Sequence, residues 1–189
     1  MDLLLGLFSA FGLSASAGLN AYIPLFTIAV IAHFTDWFKL NSPYDALGSP
    51  WTIGILAVLI TIEFLADKIP AVNHINDGIQ TFVRPVAGAI LFAASASVIT
   101  DVSPILSIAA GVLVSGGVHA AKSLGVRPLV TATTGGAANV PVSMAEDLIS
   151  TLLSFIAVVL PVIIACFLVM MTAWILWRAY RRSRAIPAR

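Results

Sequence analysis

The chain has 189 residues, 59% of them hydrophobic and only 10% charged, with a mean hydropathy of +1.00 and a net charge of +1. Soluble domains carry about 25% charged residues, so the deficit excludes a soluble globule. The length holds about five to seven membrane segments of ~20 residues with short loops. The expectation is therefore a single integral membrane domain over 1–189, all-α, a polytopic membrane helical bundle.

The N-terminus, MDLLLGLFSAFGLSASAG, carries an apolar run followed by Ala-Ser-Ala, as a signal peptide does. It lacks a basic opening and carries Asp2, so it reads as retained structure. The apolar region from Leu3 to about His33 is too long for one straight crossing at 1.5 Å per residue. Its natural break is Gly18 to Pro24, because Pro24 donates no helix bond and disfavours helix in the residue before it. The region is either a hairpin of two short helices or one long broken element.

A polar loop follows from Asp36 to Pro50, flanked by Trp37 and Trp51 as expected at a membrane interface. Trp51 to Ala66 is a clear span ending in Glu63, Asp67 and Lys68 before Pro70. Ala71 to Val83 places Val72, Ile75, Ile79 and Phe82 at helical spacing, with Asn73, His74, Asn76, Asp77 and Gln80 between them. It predicts a short amphipathic helix, lying on the membrane or folded into the protein. Pro85 to Thr100 is a span, then Asp101 to Pro104 a tight turn, then Ile105 to Ala121 another span. Gly125 to Pro128 reads as a connection. Val142 to Leu153 carries Glu146 and Asp147, and the last span runs from Ser154 to about Trp177, with Pro161 inside it.

The stretch at the first break has a near-copy. SASAGLNAYIP at 14–24 matches TATTGGAANVP at 131–141: Ala15, Gly18, Ala21 and Pro24 recur as Ala132, Gly135, Ala138 and Pro141. This suggests re-entrant or broken helices in a two-fold pseudo-repeat, with halves near 1–70 and 104–178. Breaks at corresponding positions of two halves point to a transport site. Arg178, Arg181, Arg182, Arg184 and Arg189 put the C-terminus in the cytoplasm. Lys68 with Arg84, and Lys122 with Arg127, read as further cytoplasmic connections, and Asp101 as an outside turn.

Glu63 and Asp67 lie four apart and share a helix face, which suits a cation, a metal ion or a shared proton. Asn20, Thr133, Asn139 and Asp147 join them as candidate ion- or solute-binding residues, the neutral ones lining the broken segments. Lys68, His74, Asp77, Arg84 and His119 are the candidate gating or coupling residues. Against these stand plainer readings: a wet interfacial helix, a snorkelling Lys122, an interfacial His119, and ordinary interhelical hydrogen bonds. Glu146 and Asp147 point about 100° apart on a helix, so they serve different partners. The lone Cys166 packs as a small hydrophobe. No G-x-S-x-G, H-E-x-x-H, C-x-x-C or phosphate-binding glycine loop is present, so neither an enzyme nor a cofactor is expected. No basic run outside the extreme C-terminus points to nucleic acid.

SAGLNAYIPL, EFLADKIPxxNHxNDxIQTFVRPxAGA and TTGGAANVPVSMxED together resemble a bacterial family of small multi-pass membrane proteins, domain of unknown function 4126. The resemblance covers nearly the whole chain and implies an integral membrane protein, with no activity attached. A fainter likeness is to the Glu-x-Gly-Asp-Lys-Thr motif of calcium- and manganese-handling cation/proton exchangers. Here Glu63, Asp67 and Lys68 carry one extra residue, with Ala66 for Gly, Ile69 for Thr and no second copy. The functional expectation is a small transporter or channel of the bacterial inner membrane, ion- or proton-coupled, for a cation or small solute. Its partners are the lipid bilayer, a small ion or solute and, through its Gly-rich faces, a second copy in a homodimer. The alternative is a non-transporting scaffold, assembly factor or lipid-interacting protein.

Overall fold

The structure is a computed structural model and describes residues 2–67, 69–96 and 102–184. Within these, the side chains of residues 2–5, 70, 71, 73–75, 161–169, 171, 172, 175, 176, 179 and 182–184 are outside the description. The expectations on Lys68, Asp101, Arg189 and the His74 and Cys166 side chains fall there. The described residues are helical with no strand: α1 (Asp2–Leu19), α2 (Tyr22–Phe34), α3 (Pro50–Ala66), α4 (Pro70–Ala96), α5 (Pro104–Ala120), α6 (Arg127–Thr134) and α7 (Asn139–Arg184). A 3₁₀ turn (Tyr44–Gly48) precedes α3, and a π-helical turn (Ala121–Val126) joins α5 to α6.

Local chemistry sets the helix starts and stops. The Asn20 carboxamide oxygen accepts from the Tyr22 and Ile23 N–H groups at 3.0 Å, capping α2 as α1 ends. α1 packs on α4, α5 and α7, whereas α2 packs on α3, α7 and the 3₁₀ turn. Ser49 caps α3 by accepting from Thr52 N–H at 3.2 Å, with Pro50 in the first turn. Gly135 ends α6 at φ 62°, a left-handed conformation that suits glycine. In both near-copies one helix ends and another begins, after two residues (20–21) in the first and four (135–138) in the second, and Pro24 and Pro141 occupy the third position of the helix that follows.

Three expected boundaries are absent. The amphipathic segment and the span after Arg84 are one helix, α4, running through Pro85. Tight neighbours explain this: a Cβ on Gly111 would lie 2.6 Å from the Ala89 Cα, so α5 presses directly on the turn after Pro85. The expected connection at Gly125 to Pro128 is instead continuous helix from Pro104 to Thr134. The π turn accommodates Pro128, since the Arg127 N–H bonds back five residues to the Lys122 carbonyl. Residues 142–177 are likewise one element, because the 46-residue α7 continues through Pro161. At 1.5 Å per residue α7 is about 69 Å long, more than twice a ~30 Å hydrocarbon core.

The burial pattern is the reverse of a water-soluble protein. Phe82, Ile105, Leu113 and Trp51 are 74–84% exposed, while Arg84, Gln80 and Glu63 are 1–2% exposed. On α4 the apolar Ile79, Phe82 and Val86 face outward and the polar Gln80 and Arg84 face the bundle. Lipid, not water, makes that arrangement favourable. Three helices are long and apolar enough to cross a membrane: Asn76–Ala96, Pro104–Thr134 and Asn139–Leu160. Gly6–Leu19, Tyr22–Phe34 and Pro50–Ala66 are shorter apolar helices.

Small residues close the interior. A Cβ on Gly18 would lie 2.6 Å from the Ser115 carbonyl oxygen, and one on Gly12 would lie 2.7 Å from the Ala157 Cβ. Serine hydroxyls bond across these close contacts. Ser14 donates to the Gly111 carbonyl at 2.9 Å, and Ser9 donates to the Ala157 carbonyl at 2.6 Å. Ser16 meets the hydroxyls of Ser150 and Ser154 at 2.8 and 2.7 Å. Such small-residue seams replace the hydrophobic effect as the glue between membrane helices.

Candidate functional site

The interior carries a chain of charged and polar side chains from α3 through α4 and α5 to α7. At its first end, the Glu63 carboxylate accepts from Arg84 Nη2 at 3.1 Å, with both side chains no more than 2% exposed. Arg84 Nη1 donates to His119 Nδ1 at 3.1 Å. A donor facing Nδ1 places the ring proton on Nε2, which lies 3.1 Å from Thr81 Oγ1. The Thr81 hydroxyl donates in turn to the Asp77 carbonyl at 2.9 Å. Ser115 donates to the Arg84 carbonyl at 2.7 Å, so the residue before Pro85 is held at both backbone and side chain.

Arg127 is the hub of the other end. Its Nη1 donates to Asp77 at 2.8 Å, and its Nη2 to Glu146 at 3.0 Å and Ser143 at 2.7 Å. Asp67 lies 3.9 Å from the same Nη2 and accepts from Ser143 at 2.7 Å and from Asn76 at 3.2 Å. Lys122, on the π turn, donates to Glu146 at 2.7 Å and to the Leu19 carbonyl, where α1 stops, at 3.1 Å. π turns often mark functional positions, and this one aims a lysine at a helix break. Asp147 accepts from Asn20 at 2.9 Å, tying α7 to the same break. A cleft of about 400 Å³, walled by Leu19, Val118, Val142 and Ile149, opens beside Lys122 and Glu146.

Glu63 and Asp67 both face this interior, and each meets its own arginine. Among the described residues no group of three or more His, Cys, Asp or Glu side chains is arranged to hold a metal ion. Asn20, Asp77, Arg84, His119 and Asp147 all join the network. Thr133 and Asn139 do not: Thr133 is exposed and bonds to the Leu129 carbonyl at 2.8 Å, and Asn139 accepts from Thr131 at 3.2 Å. Glu146 and Asp147 turn to different partners, as their spacing requires.

Arg84, Lys122 and Arg127 point into the bundle, with side-chain exposures of 1, 4 and 11%, and each lies within helix rather than in a connection between spans. Lys122 does not snorkel, since its ammonium meets Glu146, and His119 faces Arg84. Arg127, Gln80 and Ser143 join the network although none is among the candidate residues taken from the sequence. One signal was available: Val-Arg-Pro occurs twice, at 83–85 and 126–128, and both arginines are hubs.

The fold and its inward charges define the class, a polytopic helical membrane bundle. The chain matches the Domain of unknown function (DUF4126) family over residues 7–182, and it belongs to that family. No curated protein and no solved structure matches it.

Proposed function

We propose that the protein is a small proton- or cation-coupled transporter or channel, with the interior charge network as its coupling site. One observation carries the reading. Among the described residues the network holds five carboxylates, of Glu63, Asp67, Asp77, Glu146 and Asp147, against three fixed cations, of Arg84, Lys122 and Arg127. Negative charge in excess of its counter-charges is costly at membrane depth, so these acids are suited to bind a proton or a small cation. Asp147 is the foremost candidate, because its carboxylate accepts from the neutral Asn20. A proton or monovalent cation fits better than a divalent metal, since Glu63 and Asp67 each face a guanidinium. The two helix breaks support a pseudo-repeat.

The same reading places the protein in a bacterial inner membrane. Its C-terminus faces the cytoplasm, supported by exposed Arg178 and Arg181 on the last turns of α7. Arg178 lies 5.1 Å from the Trp174 ring and Arg181 4.6 Å from the Trp177 ring, an arrangement suited to a headgroup layer. That end of α7 favours the second reading, a lipid-contacting scaffold without flux.

The test is ion flux in proteoliposomes of purified protein with a pH-sensitive dye inside. Cation- or gradient-dependent proton movement is expected in the wild type and lost in Asp147→Asn, which keeps an acceptor for Asn20. Normal flux in an Asp147→Asn, Glu63→Gln double variant would sink the proposal. A wild type that moves no ion transfers the weight to the scaffold reading.

A further inference from the structure

We propose that Glu63, Gln80 and Arg84 form a binding site for one water molecule inside the bundle. The site is built from side chains only 2%, 1% and 1% exposed. Each retains one buried polar atom with no protein partner: Glu63 Oε2, Gln80 Oε1 and Arg84 Nε. The other polar atoms of Glu63 and Arg84 are engaged. Glu63 Oε1 holds Arg84 Nη2, and Arg84 Nη1 holds His119.

Gln80 and Arg84 are four apart on α4 and so lie on one face, and the 3.1 Å ion pair draws Glu63 to it. The free atoms are two acceptors and one donor. A cation would serve both oxygens but oppose the Arg84 N–H. An anion would serve the N–H and oppose both oxygens. A water molecule donates to Glu63 and Gln80 and accepts from Arg84, which completes all three. Three hydrogen bonds is also about the number a buried water makes.

This deepens the transport reading, on which only the water's use depends. Glu63 is otherwise in contact with a guanidinium, which neither takes up nor releases a proton at ordinary pH. Water at Oε2 gives the carboxylate a partner that can exchange protons.

The first test is a density map of the full chain in lipid nanodiscs, at a resolution showing ordered water elsewhere in the protein. A peak within hydrogen-bond distance of all three atoms is expected. Its absence from such a map overturns the proposal. So does a direct Glu63–Gln80 hydrogen bond, the geometry of a protonated carboxyl that needs no water. Gln80→Met replaces the amide by an apolar side chain of similar length. It should remove the peak and slow proton flux roughly tenfold, the scale of one lost buried hydrogen-bond partner. A Gln80→Met map that keeps the peak contradicts the site, and if that variant does not fold, the wild-type map decides alone. A peak without any flux keeps the water site and removes the transport reading. Flux without a peak does the reverse.

Discussion

Arg127→Met is the most informative perturbation, because one guanidinium serves three helices. It donates to Asp77 and Glu146 at 2.8 and 3.0 Å and to Ser143 at 2.7 Å, with Asp67 at 3.9 Å. A hydrogen bond to a charged group contributes roughly 1.5–3 kcal/mol when buried. The Asp77 side chain is 27% exposed, so its arm is discounted to about 1 kcal/mol for solvent screening. The Glu146 arm is better buried, and removing one partner of a buried pair costs about 3–5 kcal/mol. Arg127→Met is therefore expected to lose about 3–5 kcal/mol, since Lys122 alone is left to balance the three acids.

The assay is reversible unfolding of the full chain in mixed micelles, arranged as a double-mutant cycle with Glu146→Gln. The second change removes the orphaned charge, so the pair should be at least about 1 kcal/mol more stable than the two single losses summed. Arg127→Lys should fall between, because a single ammonium cannot reproduce the planar fork that spans Asp77, Ser143 and Glu146. A loss below about 1 kcal/mol for Arg127→Met, the range of surface pairs, would refute the reasoning. So would strict additivity in the cycle.

Helix packing gives a matched contrast. Gly18→Ala drives a Cβ into the Ser115 carbonyl and Val118 and should cost about 1–3 kcal/mol. Gly117→Ala on α5 meets nothing within 4 Å and should be neutral or gain up to about 1 kcal/mol by the same unfolding measurement. Ser16→Ala removes a hydroxyl shared with Ser150 and Ser154 and should cost about 0.6–1.7 kcal/mol, the measured range for polar contacts between membrane helices. Lys39→Ala should leave stability unchanged at any salt concentration, because its pair with Asp36 is almost fully solvated.

Several features of the site were legible in the residues. Asn20 beside Gly18 and Pro24 marks a break, and the structure uses its side chain to cap α2 and hold Asp147. Glu146 next to Asp147 had to split between partners, as it does. Thr133 and Asn139 show the converse. They lie in an equally suggestive stretch, but that break sits on the surface, where Thr133 bonds only to its own helix. Prolines misled most. Pro85 and Pro128 each read as a boundary, and each lies within helix. Local rules weigh the lost N–H and the ring clash, whereas packed neighbours and a π turn absorb both. The basic residues misled for a related reason. A lysine or arginine near a helix end reads as facing the cytoplasm unless an acid distant in the chain can pull it inward.

Composition alone determined that this chain is a helical membrane protein, because in lipid every backbone group must be satisfied within the protein and few charges can be tolerated. Spacing alone determined that Glu63 and Asp67 share a face and that Gly18 to Pro24 interrupts a helix. Only the tertiary structure decided which acid meets which base. Arg84 meets Glu63 across 21 residues and His119 across 35, and Arg127 meets Asp77 across 50. Pairings at such separations depend on how closely the helices approach. Here that approach is set by glycine and serine seams, whose residues are common throughout the chain and do not name their partners.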